Sequence, residues 1–551
     1  GLSGVVQPGG DSLGPRAESE EACDEARVGS LGARHTVEFC GLLGAKSPLA
    51  AGMVDVGTSF ASSPKSLKTP VAGAVACAKC FQVCIFVNRS SGGGRAGEYL
   101  AALGSDGRCS KIQLGNGGLE ADLRAFDMRD GRPGQKPGFL LLKSMCEEAE
   151  SLVHVMVAGG DGTVMWAISE MVAAGVDLIK VVVGHIPFGT GNDFSRSTGW
   201  GAMPPAELIG VNWQFLRRDI RRWIFSDVVD FDLWEVDVIA SGGFAFIHDG
   251  HRGLTESDKA QHGLQQLDEG RWQMKKPMVN YFSLGQCCRA GLGFEKRRTG
   301  SRLGNNLRYG YEGLKKLTLR PAPLVSDVVE ELCFSTSREE VRSTNLGGQS
   351  AELLFLNVPS FAGGAYPWEW SKPASGSDEL KDSCQFLGDG RLEVVSYSSG
   401  FRAGLDAANS KMWTPGRGAG RRIASAEGSR YLPCCCLRAA PSPRPFRIGF
   451  KSPQEARYRS RDGRVYFQVD GEYFVAHCPE QVMIRHWRPA CLLFFSLARL
   501  MSRSSRWIFA RYANEQLSAS PVSRQPWQQE QHCWCSCSAC SVLASVWLSS
   551  R

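Results

Sequence analysis

The chain has 551 residues, 43% of them apolar and 22% charged, which is enough to bury the cores of about two to four globular domains. Its 63 glycines, roughly 11% of the residues against about 7% in ordinary proteins, follow no Gly-X-Y period, so a collagen-like chain is excluded. The net charge of +7 is too small for a dedicated nucleic-acid-binding protein, and we predict no nucleic-acid partner. An anionic membrane or a phosphorylated ligand remains compatible with it.

Residues 1–78 mix glycine, serine, alanine and charges without a period of two or 3.6, which predicts a low-complexity, disordered segment. No run of the sequence reaches the 18 or more apolar residues of a membrane span. We therefore expect a cytoplasmic protein that meets membranes only peripherally. Because the chain begins at Gly1 rather than Met, the sequence leaves an upstream segment, including a secretion signal, open.

Three short apolar runs each end in a glycine-rich turn, as strands do in strand–turn–helix units. The runs and their turns are 83–87 with 88–94, 153–157 with 159–163, and 180–184 with 188–193. Apolar residues at helical spacing from Val164 to Val172 follow the second turn, and Gly175 can end that helix. Repeated units of this kind predict an α/β domain with an open, mostly parallel sheet.

From about Val228 the pattern changes to short strands with Asp-Gly turns, at Asp389-Gly390 and Asp470-Gly471, which are hairpin signals. They predict a β-rich, sandwich-like accessory domain. We place the α/β domain at 79–230 and the β-rich domain at 231–495, with polar inserts near 248–276 and 431–460. The tail, 496–551, has no pattern.

The second and third glycine turns lie about one βαβ crossover apart, so both are expected at one edge of the sheet, with the first turn as a third wall. Glycine there lets backbone N–H groups approach phosphate oxygens. A tight turn without a ligand is the alternative for any one of them. The candidate phosphate-binding residues are Asn88, Gly92, Gly93, Gly94, Gly159, Gly160, Asp161, Gly162, Thr163, Gly189, Thr190, Gly191, Asn192 and Asp193.

The strings VAGGDGTVMWAI (157–168) and HIPFGTGNDFSRSTGWG (185–201) resemble the catalytic domain of diacylglycerol kinases, lipid kinases related to sphingosine and ceramide kinases. Further strings resemble, in order, the accessory half of the same enzymes, so the resemblance extends over about 80–495. They are NYFSLG (280–285), SRLGNNLRYGYEG (301–313), LLFLNVPSFAGGAYPW (353–368), DGRLEVV (389–395) and FQVDGE (467–472).

The resemblance implies transfer of the ATP γ-phosphoryl group to the hydroxyl of diacylglycerol, with Mg²⁺, giving phosphatidic acid. It implies that the nucleotide binds at Gly159–Thr163. The reaction needs a carboxylate to take the hydroxyl proton, for which Asp389 is our candidate and Asp161 its rival, either as base or as metal contact. Asp389 is equally well explained as a hairpin-turn residue. The sequence assigns no metal ligands.

The chain departs from the family pattern at two places. The opening Asn-Pro-Lys-Ser-Gly-Gly reads Asn88-Arg89-Ser90-Ser91-Gly92-Gly93, with Arg89 as a candidate replacement for the lost lysine charge. Gln286-Cys287-Cys288 stands where Val-Asp-Ala is usual. A sphingosine or ceramide kinase, and a catalytically inactive lipid- or nucleotide-binding protein, therefore stay open, as does the oligomeric state.

The segment LRRDIRRW (216–223) carries four arginines that share one helical face beside Trp223. Such a face suits contact with the headgroups of an anionic membrane. A solvated charged face is the alternative.

Overall fold

The computed structural model describes residues 80–114, 119–246, 259, 262–268, 270–295, 323–335, 340–343, 346, 348–373, 380–381, 383–408, 418–427, 446–456 and 463–495. These residues all lie within one compact unit, Pro70–Arg551. The disorder predicted for 1–78, the tail at 496–551 and most of the insert at 431–460 fall outside the described residues.

The strands are named in chain order. They are β1 (Cys80–Val87), β2 (Ser110–Gln113), β3 (Glu120–Asp127), β4 (Val153–Gly159), β5 (Val181–Pro187), β6 (Asp227–Ala240), β7 (Phe244–Phe246), β8 (Leu264–Asp268), β9 (Arg271–Met278), β10 (Tyr281–Gly285), β11 (Val329–Ser335), β12 (Glu340–Ser343), β13 (Glu352–Leu356), β14 (Lys372–Pro373), β15 (Arg391–Tyr397), β16 (Arg421–Glu427), β17 (Phe446–Phe450), β18 (Arg464–Val469), β19 (Glu472–His477) and β20 (Pro479–Phe495).

The helices are named in the same way. They are α1 (Glu98–Leu103), α2 (Pro137–Glu148), α3 (Asp161–Ala174), α4 (Asp193–Ser197), α5 (Gln214–Ile224), α6 (Gln286–Glu295), α7 (Val325–Val328), α8 (Pro367–Trp370) and α9 (Gly400–Ala408).

Four parallel strands, in the order β5-β4-β1-β3, form the centre of the α/β half. β1, β4 and β5 are largely apolar, as expected for central strands covered by helices on both faces, whereas β3 alternates polar and apolar residues. Side chains of α2 and α3 pack on one face, and those of α1 and α5 pack on the other. The predicted helix after the second turn is α3, which ends at Gly175 in the left-handed conformation (φ 75°).

This sheet does not stop at the end of the α/β half. β20 pairs in parallel with β5 and antiparallel with β6 and β17, so twelve strands of the described part of the chain form one mixed sheet. The predicted α/β class is confirmed, whereas the sheet as a whole is mixed rather than mostly parallel. The predicted domain boundary at 230/231 falls inside β6.

Eight further strands of the described residues form a second sheet, in the order β14-β16-β15-β13-β10-β18-β19-β7. Its pairs are antiparallel except for that between β14 and β16. One buried cluster takes side chains from both sheets, including Trp234 of β6, Phe446 of β17, Phe282 of β10 and Phe355 of β13. The apolar faces of the two sheets therefore share a core.

The predicted insert at 248–276 contains regular structure in its second half. β8 and most of β9 lie there and pair antiparallel with each other, and β9 continues the mixed sheet beside β6. β8 is an edge strand with four exposed residues of five, so its sequence lacks the apolar alternation that would have identified it. β17, likewise, lies inside the segment assigned to the insert at 431–460.

Candidate active site

The three glycine turns meet at the carboxyl edge of the parallel strands. Asn88 Nδ2 donates a hydrogen bond to Thr163 Oγ1 at 3.3 Å, which joins the first turn to the second. A Cβ added to Gly92 would lie 2.6 Å from Phe188 Cδ1, and one added to Gly189 would lie 2.7 Å from Gly160 Cα. Only glycine permits these approaches. The structure thus brings together the turns that the sequence predicts at one edge.

Asn192 holds the third turn in place. Its side chain is fully buried, Oδ1 accepts from the Gly189 N–H at 2.9 Å, and Nδ2 donates to the carbonyls of Gly189 and Ala202, both at 2.8 Å. Because these bonds occupy both ends of the amide, Asn192 shapes the turn rather than presenting its side chain to a ligand. Thr190 and Gly191 beside it are half-buried, and Gly162 in the second turn is exposed.

Asp161, the first residue of α3, links the second turn to the third. Its Oδ1 accepts from the Phe194 N–H at 2.9 Å and its Oδ2 from the Asp193 N–H at 3.1 Å, so it caps the start of α4. Its side chain is half-buried, and burial raises the pKa of the carboxyl. A carboxylate with a raised pKa is better able to accept a proton.

Asp193 joins the accessory half to the third glycine turn. Its carboxylate accepts hydrogen bonds from Tyr281 Oη at 3.0 Å, Ser360 Oγ at 2.6 Å and the Gly363 N–H at 2.9 Å. It is 1% exposed, and burial, followed by the neighbouring charge of Asp161, raises its pKa to about 6. The site therefore lies where the two halves of the unit meet.

Asp470 fixes the segment that carries Tyr281. It occupies the turn between β18 and β19 with a φ of 48°, and its carboxylate accepts from the backbone N–H groups of Val279, Asn280 and Tyr281 at 2.7, 2.7 and 2.9 Å. Burial raises its pKa to about 7, and the charge of Asp161 adds to that shift. We call Asp161, Asp193 and Asp470 the acidic cluster.

The acidic cluster does not form a ready-made site for a divalent cation. Every one of its carboxylate oxygens already accepts a hydrogen bond from an N–H or O–H group. No group of three or more His, Cys, Asp or Glu side chains in the described ranges is arranged to hold a metal ion. Strong perturbation of buried carboxyl groups at a junction is instead typical of proton-transfer sites.

The structure places Asp389 in a different setting. Its Oδ1 accepts from the Arg391 N–H at 2.9 Å, and the N–H of its neighbour Gly390 donates to Asp232 Oδ2 at 2.6 Å. Gly388 lies against the backbone of Asp230. The contacts described for this turn are thus with the start of β6, whereas those of Asp161 are with the glycine turns.

Sequence reasoning missed Asp470 of the acidic cluster and four residues that surround the cluster: Asn280, Tyr281, Ser360 and Gly363. All five lie within strings that resemble the accessory half of the family. The strings alone gave no reason to place them next to Asp161, because they lie far from Asp193 along the chain: Tyr281, Ser360 and Gly363 are 88, 167 and 170 residues away. Asp470 was interpreted only as a turn residue.

Cys287, which stands at the usual aspartate position, begins a buried polar group around Glu352. The Cys287 N–H donates to Glu352 Oε2 at 2.7 Å, and Cys288 Sγ donates to Oε1 at 3.6 Å. Glu352 is fully buried, and burial raises its pKa to about 8. An aspartate at position 287 would add a second carboxyl group beside it, whereas a thiol adds no charge.

Glu352→Gln is expected to flatten the pH dependence of stability. The pKa of Glu352 lies above its ordinary value of 4.5, so its contribution to stability is complete below pH 4.5 and is lost as the pH rises towards 8. Glutamine keeps the shape without the ionisation. By thermal unfolding from pH 5 to 8.5, the Tm of the parent should fall several °C more than that of the variant. Glu98→Gln, at an exposed position, is the control. Parallel curves for the parent and Glu352→Gln would contradict the assignment.

Comparison with known proteins agrees with the resemblance. Residues 82–220 match the family model of the diacylglycerol kinase catalytic domain, and residues 277–421 match that of the diacylglycerol kinase accessory domain. Together the two models match more than half of the chain.

The match to each individual relative covers only a small part of that relative's length. The chain is similar to the eye-specific diacylglycerol kinase of Drosophila melanogaster, with 30% identity over 325 residues, which is 58% of this chain and 18% of that protein. It is 27% identical to diacylglycerol kinase theta of Rattus norvegicus over 327 residues, 58% of this chain and 29% of that protein. It thus spans less than a third of either relative.

A crystal structure of a diacylglycerol kinase from Bacillus anthracis str. Sterne is 11% identical, with a TM-score of 0.34, and covers 76% of this chain and 97% of that one. The two family models, matched in order along most of the described residues, decide the assignment: the chain belongs to the diacylglycerol kinase family.

Proposed function

We propose that this chain transfers the γ-phosphoryl group of ATP to the primary hydroxyl of diacylglycerol, giving phosphatidic acid and ADP. The observation that carries the proposal is the junction at which three glycine turns and the acidic cluster come together. Phosphoryl transfer needs a cradle for the phosphates and a group that accepts the proton of the attacking hydroxyl. Glycine turns and buried carboxylates supply these two requirements.

We assign nucleotide binding to the three turns, through Asn88, Gly92, Gly93, Gly159–Thr163 and Gly189–Asp193, and proton acceptance to Asp161. As the hydroxyl oxygen forms its bond to the γ-phosphorus, the bond to the bridging oxygen of ADP breaks and the hydroxyl proton passes to Asp161. Both carboxylates are half-buried, and the hydrogen bonds of Asp161 to the third glycine turn support this role over Asp389. Mg²⁺ supplies charge neutralisation when it is bound with ATP, and we assign it no protein ligand.

We retain the domain limits as part of the proposal: a catalytic domain at 79–230 and an accessory domain at 231–495, with inserts near 248–276 and 431–460. The core shared by the two sheets supports a sandwich-like accessory domain. We also retain a cytoplasmic, peripheral location. No helix among the residues that the structure describes is long and apolar enough to cross a membrane.

A lipid kinase assay tests the proposal. Purified chain is incubated with γ-³²P-labelled ATP and Mg²⁺ and, separately, diacylglycerol, sphingosine or ceramide in mixed micelles. Labelled phosphatidic acid from diacylglycerol is the expected result. Label only in sphingosine or ceramide would overturn the substrate, whereas ATP binding without any labelled lipid would favour the inactive binding protein.

The membrane partner that we propose is an anionic surface that contacts the outer face of α5. That face carries four exposed arginines, Arg217, Arg218, Arg221 and Arg222. The only acidic residue of the helix, Asp219, is buried. Exposed apolar side chains lie near both ends, Val211 at 76% and Phe225 at 50% exposure. Positive charge flanked by exposed apolar groups suits phospholipid headgroups.

Reversing two of these charges should weaken membrane binding. Arg217→Glu with Arg221→Glu spares Arg218 and Arg222, which pair with the buried Asp219. Each basic residue near an anionic surface is worth about 1 kcal/mol, so sedimentation with phosphatidylcholine vesicles containing phosphatidylserine should fall tenfold or more. Arg108→Glu with Arg402→Glu, at exposed positions off α5, makes the same change in net charge. Equal loss in both double variants would contradict a role for this face.

A further inference from the structure

We propose that Arg129 supplies the positive charge that binds a phosphate group of ATP at the first glycine turn. The family pattern has a lysine in that turn, and this chain has none. The inference rests on the proposed function, since it takes the turn as part of the nucleotide site. It assigns the missing charge to a residue outside the motif.

Arg89, which the sequence suggests as the replacement for the lysine charge, pairs with carboxylates of the protein. Its guanidinium forms an ion pair with Asp127 and lies 3.8 Å from Asp130. The Asp127 side chain is fully buried, and removing one partner of a buried ion pair is strongly destabilising. Arg89 therefore neutralises carboxylates at the end of β3 and does not add a net charge to the turn.

Arg129 lies beside the turn because of the sheet register. β1 and β3 are parallel and Val87 pairs with Asp127, so the chain leaves both strands side by side. The Arg129 N–H donates to Asp127 Oδ1 at 2.9 Å. Its Nη2 donates to Ser90 Oγ at 2.6 Å. Arg129 is exposed, and no carboxylate within the described ranges forms an ion pair with its side chain.

The first glycine turn, which contacts this guanidinium through Ser90, has two backbone N–H groups available as hydrogen-bond donors. Gly92 and Gly93 have φ values of 64° and 67°, and neither N–H donates to a backbone carbonyl within the described residues. A Cβ on Gly93 or Gly94 would meet nothing within 4 Å, so this side of the turn is open. The N–H groups of Gly92 and Gly93, in the turn whose Ser90 binds the Arg129 guanidinium, can donate to a phosphate oxygen that the guanidinium also contacts.

Calorimetric titration of the full chain with ATP, adenosine and short-chain phosphatidic acid tests the assignment and separates nucleotide phosphate from lipid phosphate. Arg129→Ala should weaken ATP binding about tenfold or more, as expected for losing one charge-assisted contact, with adenosine binding unchanged. Arg129→Lys should recover part of the loss. Arg132→Ala, an exposed arginine in the same loop, should bind ATP like the parent. Unchanged thermal unfolding shows that the variants fold.

Two results would overturn the assignment while leaving the proposed function intact: parental ATP affinity in Arg129→Ala, or a loss confined to phosphatidic acid. A loss of ATP binding in Arg89→Gln, with Arg129→Ala unchanged, would return the role to Arg89. A parent chain that binds no ATP at all is a distinguishable failure, since it overturns the proposed function first.

Discussion

Asp161→Asn is expected to lower kcat for diacylglycerol phosphorylation by about 10²–10⁴-fold, the usual contribution of a general base. Asparagine is nearly isosteric and keeps one oxygen that can accept from the start of α4, but its NH2 group faces the second N–H donor there, so a Tm lowered by a few °C is also expected. Asp389→Asn is the matched substitution at the other candidate. The contacts described for its turn are with Arg391 and the start of β6, and we expect its kcat to stay within a few-fold of the parent.

Steady-state kinetics with saturating ATP and diacylglycerol separates the two candidates. The reverse result, with Asp389→Asn inactive and Asp161→Asn active, would restore Asp389 as the base. The pH profile adds an independent check. Burial raises the pKa of Asp161, and a base must be deprotonated, so kcat should fall as the pH decreases, starting above the pH at which an exposed aspartate would titrate.

Gly189→Ala should disrupt the contact between the second and third turns. Its Cβ would lie 2.7 Å from Gly160 Cα and 2.7 Å from Asn192 Oδ1, and one of these neighbours is backbone that cannot rotate away. Overpacking of this kind costs about 1–3 kcal/mol and separates the turns. We therefore expect a lower Tm and an ATP KM raised tenfold or more.

Gly404→Ala is the matched control for that substitution. Gly404 lies in α9, outside the proposed site, and a Cβ there would meet nothing within 4 Å. Alanine favours helix over glycine by up to about 1 kcal/mol, so the Tm should stay the same or rise. If Gly189→Ala behaves like Gly404→Ala in both Tm and KM, the close approach of the two turns is not required for nucleotide binding.

The sequence predicted the arrangement of the three glycine turns because its determinants are local. The apolar runs at 83–87, 153–157 and 180–184 correspond to β1, β4 and β5, and each glycine turn follows its strand directly. Parallel strands then place the turns at one edge without further information. The role of Asn192 was less predictable, because the same amide could face a ligand or, as observed, its own turn.

The accessory contribution could not be predicted, because it depends on contacts between distant segments. Tyr281, Ser360 and Gly363 reach Asp193 across 88, 167 and 170 residues. Asp470 acts through three backbone N–H groups, and neither its residue type nor its spacing identifies such partners. β8 was not predicted for a different reason. It is an edge strand with little buried surface, so its sequence is mostly polar.

The pairing of β20 has a consequence for how this chain can be divided. β20 follows the other nineteen strands of the described residues, yet it hydrogen-bonds to β5 of the α/β half and to β6 and β17 of the accessory half. A fragment ending at residue 230 would lose this strand and leave β5 as an unpaired, apolar edge. We expect such a fragment to aggregate, so that the folding of the nucleotide-binding half depends on a strand that is synthesised about 300 residues after β5.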